Sequence, residues 1–218
     1  ATIRMGRIFG IPIGLHYTWF IVFILVTGLL AVNLFPDLYP GWSSFHYWAI
    51  ALLTSLLFFG SILAHELGHS VVALRYKIKV KSITLFVFGG VAQIARDAPR
   101  PLVEFFIAIA GPVVSALLGG LFLGIYFLSG DSNESLRALS LYLGRINILV
   151  AVFNMIPGFP LDGGRVFRAI VWGIGGSFVG ATKISTALGR GIGYLFIFGG
   201  LLFGFWTGEV FSGIWIAF

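Results

Sequence analysis

No cysteine occurs in the 218 residues, so the chain can form no disulfide framework, and any metal it binds must be held by histidine and carboxylate. Charge is nearly as scarce. Asp, Glu, Lys and Arg together make up 10% of the sequence, where an ordinary soluble domain carries roughly 25%. A water-soluble protein covers its surface with polar groups, and a chain that is 58% hydrophobic has too few of them. Acidic residues are the scarcer kind, eight against fourteen Lys and Arg, for a net charge of +6. That basic excess does not point to nucleic acid, because the cations form no single stripe interleaved with aromatics. They flank apolar runs instead, where cytoplasmic Lys and Arg collect in membrane proteins. The first 13 residues hold Arg4 and Arg7 but no small-residue cleavage site, so no removable signal peptide is expected.

What the chain has in plenty is apolar length. A spanning helix needs about 20 largely apolar residues. Runs at about 15–34, 47–74, 102–128, 139–156 and 192–206 read as spans, and a sixth run at 210–218 is expected to continue past Phe218. Pro36-Asp37 is expected to close the first span, and Pro157 the fourth. Residues 165–190, amphipathic and basic through Arg165, Arg168, Lys183 and Arg190, are placed at the membrane interface. Between the second and third spans, period-2 alternation from Arg75 through Phe88 and on to Ile94 reads as strand, with Gly89-Gly90 as a turn or close-approach point. The expected fold class is an α-helical polytopic membrane protein: about six transmembrane helices with a small β-strand insertion at the membrane face, forming one domain over residues 1–218. Thirty glycines fit close helix packing and broken helices in lipid. Lys and Arg gather at the amino terminus, at 75–100 and at 163–190, which puts those segments on the cytoplasmic side.

His65-Glu66-Leu67-Gly68-His69 is an HExxH motif on the second span. Residues four apart lie about 40° apart around a helix and about 6 Å along it, so both imidazoles can address one ion. Glu66 can then reach a water on that ion and serve as the general base. Two neutral histidines suit zinc, one ion per chain. Three ionisable groups within five residues of a span cost several kcal/mol without a partner, and a divalent cation compensates that cost. A catalytic zinc wants a third protein ligand and an open position. Asp162 in Asn154-Met155-Ile156-Pro157-Gly158-Phe159-Pro160-Leu161-Asp162-Gly163-Gly164 is the best candidate, because prolines and glycines present it from a rigid non-helical segment. The competing role for Asp162 is N-cap of a helix beginning near Arg165. Glu104 is the rival ligand, although a carboxylate in a first helical turn is favoured by the dipole alone. His16 and His46, near span ends beside aromatics, read as interfacial anchors.

These residues resemble the site-2 protease family of intramembrane metalloproteases. The resemblance rests on HELGHS at 65–70 and NMIPGFPLDGG at 154–164, with FGGVAQI at 88–94 and AGPVVS at 110–115 between them in the family's order. It implies that His65, His69 and Asp162 are zinc ligands and Glu66 the catalytic acid/base. It also implies that Asn154 binds the substrate backbone or the developing oxyanion; hydrogen bonding to carbonyls freed by Pro157 is the alternative. Many members carry Asn where Ser115 stands. Some carry a PDZ insertion, for which no loop here is long enough, and others append CBS domains after the last span, so a regulatory domain beyond Phe218 is an open expectation.

A peptide bond in a helix must unwind before hydrolysis, and unpaired backbone in lipid is costly. The strand-like segment around Gly89, Gly90, Val91 and Ala92 could pair with an extended substrate. The expected partners are single-span membrane protein substrates and the bilayer, with no nucleic acid. The expected location is the cell membrane, with the zinc site toward the cytoplasm. The rival reading is a metal-dependent transporter or channel using the same ligands, which has no need of Glu66 beside the histidines; a scaffold with a structural zinc would want a fourth ligand that is not evident.

Overall fold

A computed structural model of the chain describes residues 2–87, 89–130 and 133–207. They form two compact units, one of Ala1–Ala98 with Ile109–Phe153 and one of Pro99–Ala108 with Asn154–Phe218. The elements run in order β1 (Thr2–Ile8), β2 (Ile11–His16), α1 (Tyr17–Leu29), a π turn over Leu30–Leu34, α2 (Phe35–Leu38), α3 (Ser44–Arg75), β3 (Val80–Phe86), β4 (Gly89–Ile94), α4 (Pro101–Leu128), α5 (Glu134–Asn154), α6 (Asp162–Gly175) and α7 (Phe178–Thr207). Among the described residues five helical segments are long and apolar enough to cross a membrane: Tyr17–Leu38, Ser44–Arg75, Pro101–Leu128, Glu134–Asn154 and Phe178–Thr207. The sixth apolar run lies outside the described residues.

Among the helices, two boundaries differ from the sequence expectation. The first span does not close at Pro36 but continues to Leu38. Pro36 falls in the first turn of α2 directly after the π turn, and an altered hydrogen-bond ladder accommodates a residue with no N–H. The basic stretch at 165–190 is likewise not one interfacial segment. Gly176 takes the left-handed conformation, φ 69°, and ends α6, while Phe178 starts the 30-residue α7. Lys183 and Arg190, seven apart, share a face of that helix.

The first unit carries a four-stranded sheet in the order β1-β2-β3-β4. β1 and β2 are antiparallel, β2 and β3 parallel through Ile13↔Ile83 and Leu15↔Leu85, and β3 and β4 antiparallel. Sequence reasoning found only β3 and β4. Ile11, Ile13 and Leu15 alternate with Pro12 and Gly14, a period-2 signal hidden because the run into the first span begins within it. Ile11, Ile13 and Ile83 form a buried cluster against Leu63, Leu67 and Ala92, which seats the sheet on α3. Leu15, Trp19, Phe59 and Leu85 form a second cluster that joins α1, α3 and the sheet.

The expected strand from Arg75 is shorter than the alternation implied. Helix α3 runs through Arg75 and strand begins at Val80. The helix ends in a Schellman motif: Ile78 N–H donates to the Ala73 carbonyl at 3.0 Å and Lys77 N–H to the Leu74 carbonyl at 2.9 Å, with Lys77 at φ 58°. Ile78, fully buried, supplies the apolar contact that accompanies this cap. Glycine is the usual residue at the left-handed position. A lysine there left no punctuation for a sequence reading to find.

Candidate metal centre

Residues four apart on α3 put the His65 and His69 rings edge to face, centroids 4.9 Å apart and planes at 79°. Their Nε2 atoms approach to 3.2 Å. Two zinc–nitrogen bonds of about 2.0–2.1 Å at a tetrahedral angle would separate their nitrogens by about 3.3 Å, so the pair matches the spacing a shared zinc requires. Both histidines are buried. His65 Nδ1 lies 2.9 Å from Ser115 Oγ; with Nδ1–H donating there, Nε2 keeps its lone pair for a cation. Ser115 thus acquires the orienting contact left open by the sequence, on the α4 segment that follows Gly111-Pro112.

Two glycines make the approach of α4 to α3 possible. A Cβ on Gly111 would fall 2.6 Å from His65 Nε2 and would also strike His69 Nε2. A Cβ on Gly68, inside the HELGHS motif, would meet Val114 Cγ2 at 2.9 Å and the Ala110 carbonyl oxygen at 3.0 Å. The glycines of HELGHS and AGPVVS therefore face one another's helices. Sequence reasoning had used them only as family signatures.

Glu66 points at the sheet edge. The Ala92 N–H donates to Glu66 Oε2 at 3.1 Å, and a Cβ on Gly90 would fall 2.5 Å from Glu66 Cγ. Gly89 sits at φ 121°, a conformation that glycine adopts freely. It begins β4, and of the two roles expected at Gly89-Gly90, turn or close approach, Gly90 takes the close approach, against Glu66. Within the first unit, His65, Glu66, His69, Gly90, Ala92 and Ser115 thus form one constellation.

Asp162 and Asn154 belong to the second unit. Asn154, half-buried, ends α5. Asp162 is the first residue of α6, whose N-cap is Leu161 with no side-chain cap bond, so the N-cap role weighed for Asp162 is not the one it takes. The neighbouring glycines are there for backbone contact. A Cβ on Gly164 would lie 2.5 Å from the Gly158 carbonyl carbon, and one on Gly189 of α7 would lie 2.8 Å from Phe159 N; a Cβ on Gly163 would strike the Met155 and Ile156 carbonyls. Glu104, the rival ligand, is fully buried and paired with Arg168. His16 is the N-cap of α1 and contacts Thr18 Oγ1 at 2.9 Å. His46 lies 2.7 Å from Ser135 Oγ. Both histidines serve span ends.

A membrane-embedded helix bundle with a histidine pair spaced for zinc defines a narrow class, and comparison with known proteins names it. The model for peptidase family M50 matches residues 53–139 and 130–198. The chain belongs to peptidase family M50, and it is a multi-pass membrane protein. A Synechocystis sp. protein whose name assigns it provisionally as a zinc metalloprotease is 44% identical over 199 residues, 89% of this chain and 51% of its own length. A zinc metalloprotease of Methanocaldococcus jannaschii is 35% identical over 203 residues, 92% of this chain and 54% of its own. The chain thus spans about half the length of these curated relatives. The solved site-2 protease from Methanocaldococcus jannaschii superposes with a TM-score of 0.63 at 32% identity, over 100% of this chain and 92% of that one.

Proposed function

We propose that the chain is an intramembrane zinc endopeptidase, and the observation that carries this reading is the 3.2 Å approach of the two Nε2 atoms beside a glutamate on the same helix. His65 and His69 hold the ion, and Asp162 supplies the third ligand, as the position of Asp162 in the family's motif implies. Zinc, when bound, supplies a Lewis acid that brings the pKa of a coordinated water close to neutral. Glu66 accepts the proton from the attacking water and returns it to the leaving amine. Asn154 donates to the substrate backbone or the developing oxyanion. Purified protein should carry about one zinc per chain; stripping it with a chelator should stop cleavage of a single-span membrane substrate, and adding zinc back should restore it. Stoichiometric zinc in a folded His65→Ala, His69→Ala double variant would sink the assignment.

The substrate is a membrane-anchored protein whose scissile segment is extended, paired to the outer edge of β4. This reading draws on the position of β4 at the sheet edge and on the Ala92 amide, which points away from β3 toward Glu66. Consecutive amides of a strand face opposite ways, so the Val91 amide turns toward β3. Proline removes the donor wherever it is placed. Ala92→Pro should therefore depress cleavage more than Val91→Pro, with zinc content unchanged in both. Full activity in both variants would rule out edge pairing.

The zinc site lies toward the cytoplasmic face of the cell membrane, because Lys and Arg concentrate in the segments flanking it. A cysteine introduced near Gly163 should react with an impermeant thiol reagent from the cytoplasmic side. Reaction solely from outside would reverse the topology.

A further inference from the structure

Glu104 and Arg168 form an ion pair that the hydrolytic scheme does not use. Glu104, in the first turn of α4, is 1% exposed, and Arg168 on α6 is 13% exposed. Arg168 donates to Glu104 Oε1 through Nε at 2.8 Å and through Nη2, while Glu104 Oε2 is buried with no hydrogen-bond partner among the described residues. The same guanidinium lies 5.0 Å from the Phe159 ring centroid and 4.6 Å from that of Phe178. One side chain therefore grips four pieces of the second unit: the start of α4, its own helix, the loop before Asp162 and the first residue of α7.

A buried ion pair contributes little net stability compared with apolar packing, because desolvating both charges offsets their attraction; fixing register is its best-attested use. Leucine and phenylalanine could have filled this space in so apolar a chain. What the pair adds is direction. A planar fork bound to one carboxylate and seated on two rings tolerates neither sliding nor rotation of α6. Asp162 lies six residues before Arg168, about 9 Å along the helix axis. Its other flank is held by Phe159, which touches both the Arg168 face and the backbone at Gly189.

We infer that Arg168 and Glu104 are positioning residues for Asp162: their buried pair, stacked on Phe159 and Phe178, sets where the Asp162 carboxylate is presented to the metal. The inference rests on Asp162 being a zinc ligand. Its test reads the metal and not turnover. In the full chain, zinc affinity by chelator competition and the visible absorption of the Co2+-substituted protein would be compared across Arg168→Lys, Phe159→Leu and Asn147→Ala. The last is a stability control in the first unit, where Asn147 donates to Ser61 Oγ at 3.3 Å and to the Leu143 carbonyl at 2.8 Å.

Arg168→Lys should weaken zinc binding by about tenfold, the low end for residues that support ligands, and should shift the cobalt bands. Phe159→Leu should do the same to a smaller degree, and it carries the test if the lysine variant does not fold. Asn147→Ala should leave affinity and bands unchanged even where its thermal midpoint falls as far. Native affinity with native cobalt bands in folded Arg168→Lys and Phe159→Leu proteins would overturn the inference, as would an equal loss in Asn147→Ala. Asp162→Asn separates the two claims: undiminished zinc affinity there removes Asp162 from the ligand set, whereas a loss there beside a native Arg168→Lys protein defeats the positioning role alone.

Discussion

Glu66→Gln is expected to abolish peptide hydrolysis while leaving zinc in place. The substitution removes a base and little else. Gln keeps the length and shape of Glu, and its Oε1 can still accept the Ala92 N–H that now meets Glu66 Oε2 at 3.1 Å. Neither histidine is altered, so the 3.2 Å nitrogen pair remains available to the ion. What is lost is the proton acceptor for water and the donor to the leaving amine, and a positioned acid/base is worth about 10²–10⁴-fold for each transfer. A fall in cleavage of about 10³-fold or more, with metal content by mass spectrometry equal to the parent protein, is the expected pair of results. His65→Ala should lose both together. Cleavage at the parental rate by a Glu66→Gln protein would remove Glu66 from the acid/base role. A parent protein that cleaves nothing, and that moves metal ions equally well after Glu66→Gln, would favour transport, in which the carboxylate beside the ligands has no task.

The apolar spans were legible because membrane solvation acts on composition, and composition is a property of the sequence. Four span centres follow from the hydrophobic runs alone, and their ends shifted where backbone chemistry intervened. The π turn that admits Pro36 and the lysine that occupies a left-handed cap at Lys77 are both invisible to propensity. The histidine pair was legible for a different reason: a spacing of four is a local geometric constraint, complete within one helix. Contacts between distant segments leave no such trace. Ser115 meets His65 across 50 residues and Arg168 meets Glu104 across 64, and neither partner carries a mark of the other.

The glycines fall between these cases. In a chain with 30 of them the strand alternation marks Gly89-Gly90 as a turn or close-approach point, and nothing in the sequence distinguishes the others that a side chain would disrupt. Gly90 and Gly111 border Glu66 and the histidines, while Gly120 and Gly124, farther along the same α4, would point a Cβ into open space. Only the fold separates Gly111 from Gly120 and Gly124.

Gly111→Val should cost the chain its zinc. The first added carbon would already fall 2.6 Å from His65 Nε2 and would strike His69 Nε2, well inside the separation that non-bonded atoms adopt. Both imidazoles are buried and cannot swing into free space, and His65 is further held through Nδ1 by Ser115 on the same helix as the intruding side chain. Either the nitrogens move apart or α4 backs away from α3, carrying Ser115 with it. Each route breaks the match between the nitrogen spacing and a tetrahedral ion. A loss of about 100-fold in zinc affinity, the upper range for changes around ligands, is the expected outcome, read by chelator competition. Gly120→Ala supplies the contrast on the same helix. It adds a methyl group where nothing lies within 4 Å, so it should leave zinc affinity unchanged and stabilise the helix by up to about 1 kcal/mol. Equal zinc affinity in the Gly111→Val and Gly120→Ala proteins would mean that the backbone at position 111 does not border the metal site.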